Sequence, residues 1–103
     1  MKDTARVFRA LADPTRRQIL QELKRGELAA GAITARFEIS APAISRHLAI
    51  LKAADLVSER RDGNRIFYRL EPDQLAAHVG DFLSQVCPTQ FRQRRRSGRK
   101  VAS

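Results

Sequence analysis

The stretch Ser40-Ala-Pro-Ala-Ile-Ser-Arg-His-Leu-Ala-Ile-Leu-Lys52 constrains the fold more than any other part of the chain. Ile44, Leu48 and Leu51 recur at i, i+4 and i+7, the spacing of a helix with one buried stripe. The other side carries Ala41, Ser45, Arg46, Ala49 and Lys52. That face is small, polar and basic, where a solvated face would more often carry Glu and Gln. Ser40 is a natural N-cap, and Pro42 is tolerated because it falls in the first turn. The spacing predicts a helix running to about Ala54. The major groove of B-form DNA admits one closely approaching helix. Ala41 and Ala43 keep the leading end slim, Ser45, Arg46 and His47 can reach base edges or phosphates, and Lys52 leans toward the backbone. Taken alone, the same residues also read as a solvated face on a structural helix, and His47 as a half-buried spacer beside Leu48.

The flanking segments supply context. Val7, Phe8 and Leu11 sit at helical spacing. A second helix starts at Asp13-Pro14, with Asp13 as cap and Pro14 at the first helical position, and Gly26 closes it. Ile19, Leu20 and Leu23 are its apolar face. A short helix is expected from Ala30 to about Phe37, with Ile33 and Phe37 inward. After the Ser40 helix the period changes. Val57 to Leu70 holds two short runs around Asp62-Gly63, a hairpin signal, with Val57 and Glu59 alternating on one arm and Ile66, Tyr68 and Leu70 on the other. Pro72 opens a last helix bearing Leu75, Val79, Phe82, Leu83 and Val86, and Pro88 ends it. The predicted class is mainly α (α+β): a winged helix-turn-helix with about five helices and a two-stranded β-wing.

Charge placement bears on function. The 103 residues carry a formal net charge of +9, which points to a polyanionic partner. Residues 88–103 hold six of the basic residues and no acid, leaving +3 for residues 1–87. The division expected is a DNA-binding and dimerisation domain over 1–87 and a basic, disordered tail over 88–103. Within the domain, Thr15 and Arg16 at a helix start suit phosphate. Arg60, Arg61, Asn64 and Arg65 surround a hairpin tip suited to the minor groove or flanking phosphates. Cys87 is the single cysteine, too few for an internal disulfide or a zinc site. No apolar run reaches the ~20 residues of a membrane span. A cytoplasmic location is expected, with no membrane insertion. No glycine-rich phosphate loop or nucleophile–base motif suggests an enzyme.

Three segments, Ala10-Leu-Ala-Asp-Pro-Thr-Arg-Arg-Gln-Ile-Leu20, Ser40-Ala-Pro-Ala-Ile-Ser-Arg-His-Leu-Ala-Ile-Leu51 and Arg61-Asp-Gly-Asn-Arg-Ile-Phe-Tyr-Arg-Leu70, together resemble the ArsR/SmtB-type winged-helix repressors. The likeness covers roughly residues 5–86 and is strongest toward the SdpR-like autorepressor branch. It implies a homodimeric, sequence-specific repressor of double-stranded DNA. Ala41, Pro42, Ser45, Arg46 and His47 would be the recognition-helix readers, and Arg60, Arg61, Asn64 and Arg65 the wing. The dimer interface implied uses Val7, Phe8, Leu11, Leu75, Val79, Phe82, Leu83 and Val86. Metal-sensing members carry paired cysteines where this chain has Ala29 and Gly31, so the soft-metal ligands are missing. His78 and Asp81 stand one turn apart on the last helix, but a lone surface His is usually not a ligand, so no metal and no cofactor is expected. Release from DNA is left to an inducer or a sequestering protein partner. The rival reading is a sequence-indifferent, nucleoid-type DNA binder using the same basic surfaces.

Overall fold

The computed structural model describes residues 2–87. Its elements run α1 (Lys2–Leu11), α2 (Pro14–Leu23), β1 (Leu28–Ala29), α3 (Ala30–Thr34), α4 (Ala41–Ala53), β2 (Val57–Asp62), β3 (Arg65–Leu70) and α5 (Pro72–Val86). The basic segment 88–103 lies outside the described residues.

The start and stop signals act as elementary chemistry requires. Asp13 accepts from the backbone N–H of Thr15 at 2.8 Å and of Arg16 at 3.1 Å, satisfying two donors that the first turn of α2 leaves open. Ser40 does the same for Ala43 N–H at 3.2 Å. At the far end of α4, Leu56 N–H reaches Leu51 C=O at 3.0 Å and Asp55 N–H reaches Lys52 C=O at 2.9 Å. This is the Schellman closure, which needs a left-handed residue. Asp55 supplies it with φ 61°, one of the few side chains that tolerate that region.

Two boundaries differ from the sequence reading. The third helix stops at Thr34 rather than Phe37, because Arg36 and Phe37 N–H bond three residues back and tighten the chain into a turn. The second ends at Leu23, with Gly26 (φ 145°) beyond it in the turn that follows.

The sheet has three strands, not two, in the order β1-β3-β2. The extra strand is the pair Leu28–Ala29, which lies antiparallel to β3 with Leu28 opposite Tyr68 and Ala29 opposite Phe67. In the hairpin, Asp62 faces Arg65, so Gly63 and Asn64 alone form the loop. Gly63 has φ 63° and Asn64 is not in the positive-φ region, the pattern of a II′ turn, whose twist suits paired strands.

The core is built from every helix but α5, with the α4–β2 joint: Val7, Ala10, Ile19, Leu20, Leu23, Ile33, Ile44, Leu48, Leu51, Ala54, Leu56 and Val57. Phe37, Tyr68, Leu70, Leu75 and Val79 pack around it half-buried. The stripe Ile44, Leu48 and Leu51 is at most 1% exposed. This fixes the roll of α4 about its axis and therefore which residues it shows to solvent.

Candidate nucleic-acid interface

With Ile44, Leu48 and Leu51 inward, helical geometry turns Pro42, Arg46, Ala49 and Ala53 to the opposite side, and all four are exposed. Ser40 and Ala41 are exposed at the leading end. Ser45 and Lys52 occupy the flank toward the wing, and His47 and Ile50 the other flank, where both are half-buried. The outer arc therefore carries one guanidinium, three slim side chains and no carboxylate. Among the described residues, Arg46 has no ion-pair partner.

The wing brings Arg60, Arg61, Asn64 and Arg65 to one exposed tip. They are not equivalent. Arg60 donates to Glu27 through Nε at 3.1 Å and Nη2 at 2.7 Å, a two-pronged contact across 33 residues. That hydrogen bond lowers the Glu27 pKa, against a smaller opposing effect of burial. The guanidinium also lies 4.5 Å from the Phe67 ring centroid, with that of Arg65 at 5.0 Å. Arg61 is exposed on the opposite face of β2. Lys52 is held 3.3 Å from Glu59, so it reaches phosphate only by exchanging that carboxylate.

Arg16 occupies a place that the sequence did not disclose. Its Nε donates to Ala10 C=O at 2.8 Å and its Nη2 to Arg9 C=O at 3.0 Å, closing the carbonyl end of α1. Its Nη1 stands 3.3 Å from His47 Nδ1. Arginine offers only donors, so this contact uses the Nδ1 lone pair and leaves Nε2 as the protonated nitrogen. Arg16 is thus half-buried and bridges α1, α2 and α4, so its guanidinium is engaged rather than free. Arg17 donates to Leu11 C=O at 2.7 Å and remains exposed. Burial pushes the Asp13 carboxyl up, but the Arg16 and Thr15 amides with the charge of Arg16 prevail and hold its pKa below the usual value.

The pattern of bacterial regulatory proteins of the arsR family matches residues 13–59, which span α2, the helix-turn-helix and the start of the wing. The transcriptional repressor SdpR of Bacillus subtilis is 53% identical over 78 residues, covering 76% of this chain and 87% of that protein. The chain belongs to the arsR family. Solved members share its shape. An ArsR-like transcriptional regulator from Rhodococcus sp. RHA1 superposes with a TM-score of 0.74 at 31% identity, covering 99% of this chain and 94% of the other. A homodimeric winged helix-turn-helix DNA-binding domain from Mycobacterium bovis gives 0.68 at 35% identity, covering 80% and 77%.

The residues expected at a dimer interface divide by exposure into three groups. Val7 is 0% exposed within the single chain, so it belongs to the protomer's own core and has no area to offer a partner. Leu11, Leu75, Val79 and Leu83 are half-buried and line a shallow apolar groove of about 430 Å³ between α1 and α5. Phe82 is 44% exposed, Val86 63% and Phe8 37%, with the Phe8 and Phe82 rings edge-to-face at 5.3 Å. His78 Nδ1 lies 3.1 Å from Thr4 Oγ1, engaged between α5 and α1. Ala29 lies in β1, and Gly31 is exposed in α3. Among the described residues, no three His, Cys, Asp or Glu side chains converge as metal ligands. Cys87 is half-buried just beyond α5.

Proposed function

We infer that this chain is a homodimeric, sequence-specific DNA-binding transcriptional repressor. The observation that carries the reading is the outward arc of α4: Pro42, Arg46, Ala49 and Ala53, slim and acid-free, with the Arg46 guanidinium unpaired among the described residues. An arc of that width suits the major groove, where Arg is the commonest reader of guanine through its paired donors. Ser40, Ala41, Ser45 and His47 border it, with Thr15 at the adjacent start of α2. The wing arginines and Asn64 would take the flanking minor groove or phosphates, and Lys52 a backbone phosphate after release from Glu59.

Dimerisation through Phe8, Phe82, Val86 and the α1–α5 groove would set two copies of α4 about 34 Å apart, one helical turn of a near-palindromic operator. Occupancy of such a site near a promoter excludes polymerase. The names of its relatives, a transcriptional repressor and HTH-type regulators among them, support this reading over a sequence-indifferent nucleoid-type binder. They are also named as regulators rather than enzymes. We place the protein in the cytoplasm, where DNA is; no helix of the described residues is long and apolar enough to cross a membrane. Release by an inducer or by a sequestering protein partner completes the proposed cycle.

The test is Arg46→Ala, read on an operator obtained by selection from random genomic fragments. A lost bidentate base contact costs about 1–3 kcal/mol on the operator and little on random DNA. An equal loss on both duplexes would reduce Arg46 to a phosphate contact.

A further inference from the structure

We propose that Arg6 and Arg9 of α1 form a further phosphate-binding element, on the flank of α4 opposite the wing. The proposal rests on the reading of α4 as the helix that enters the groove. Helix α1 has three distinct sides. Val7 and Ala10 are buried, Phe8 meets Phe82 of α5, and Arg6 and Arg9, one turn apart, are both exposed. With Arg16, they rim a shallow cleft of about 270 Å³ whose floor is Ile50 and Ala53 of α4. Ala53 belongs to the outward arc with Arg46 and Ile50 to the flank beside it, so the cleft opens at the edge of the arc that faces DNA.

The charge state of this cleft differs from that of the wing. Lys52 and Arg60 are each held by a carboxylate, whereas Arg6 and Arg9 have no ion-pair partner among the side chains of residues 4–87. Like charges one turn apart repel. Arg9 gains some compensation from the carbonyl end of α1, but Arg6 stands too far back for that. A phosphate between them would relieve the repulsion at both. The cleft is open and shallow, the form of a surface that meets a duplex backbone, not one that encloses a small molecule. A protomer would then grip DNA from two sides of α4, with the wing on one strand and α1 on the other.

The experiment compares the full chain with Arg6→Ala/Arg9→Ala by fluorescence anisotropy, on the operator and on a scrambled duplex, over 50–200 mM salt. Each phosphate contact contributes about 0.9 to the slope of log K against log salt. Loss of four arginines per dimer should lower that slope by about 3.6, weaken both duplexes alike, and leave their affinity ratio unchanged. Arg6→Lys/Arg9→Lys should keep the wild-type slope. Light scattering checks that the mass is that of the wild type. If the double alanine variant dissociates, Arg6→Gln is read in its place, with an expected drop of about 1.8. An unchanged slope overturns the proposal while leaving the α4 reading intact. So does a loss confined to the operator, or one reproduced by the lysine variant. Wild-type protein that binds neither duplex would instead sink the α4 reading itself.

Discussion

Replacing Arg16 by Ala separates two roles that a surface cation can have. The structure gives its guanidinium three contacts: Ala10 C=O at 2.8 Å, Arg9 C=O at 3.0 Å and His47 Nδ1 at 3.3 Å. Hydrogen bonds from a charged donor are worth about 1.5–3 kcal/mol each when well sheltered. This group is half-buried, and water can reach part of what it leaves behind, so we expect a total loss of about 2 kcal/mol. For a domain of 60–100 residues, each kcal/mol moves the melting temperature by roughly 4–8 °C, which gives a fall of about 8–16 °C. Calorimetry at one fixed protein concentration reads it, since a dimer's melting temperature depends on concentration. Arg16→Lys should recover little, because a single ammonium cannot span carbonyls on α1 and the imidazole on α4 together. A melting temperature within about 2 °C of wild type, with a salt slope of DNA binding lower by about 1.8 per dimer, would refute the bridging role and restore Arg16 as a phosphate ligand.

Asp13→Ala should cost about 1 kcal/mol through the lost cap. Since the folded-state pKa of Asp13 is lowered, its contribution is fully present above the ordinary carboxylate pKa near 4 and fades as pH falls through the lower folded value; chemical denaturation at pH 7 and pH 3 should show the gap between wild type and variant shrinking in acid. Phe82→Glu places a charge on the most exposed apolar ring among the described residues and should yield monomers; wild-type mass in light scattering would locate the interface elsewhere. Glu27→Gln removes the closest carboxylate partner of Arg60 at an exposed site, so stability should change little, while affinity for random duplex rises as the guanidinium keeps only Asp62 at 3.9 Å. Unaltered affinity would mean that Arg60 keeps its pairing on DNA.

Much of the fold was legible because its signals are local. The stripe Ile44, Leu48 and Leu51, the caps at Asp13 and Ser40, and the Gly63 turn each act within a few residues, and each appears where the pattern put it. What could not be read depends on distance along the chain. Strand β1 is two residues long, too short for any alternation, and exists only because β3 offers it an edge. Glu27 neutralises Arg60 from 33 residues away, so a tip that reads as four equal polar or basic groups is in fact graded. Arg16 follows Pro14 and Thr15 at a helix start, where an anion site is the natural reading; only the return of α1 beside α2 places carbonyls within its reach. Val7 has the spacing of an interface residue, but the same spacing serves the protomer's own core.

In the proposed complex two copies of α4, held rigidly by one dimer, enter successive major grooves on the same face of the duplex. Inserting five base pairs between the half-sites of the selected operator turns them to opposite faces. Affinity should then fall to near that for random DNA, a loss of about 10³-fold or more at physiological salt. Binding within a few-fold of the unmodified operator would contradict this geometry.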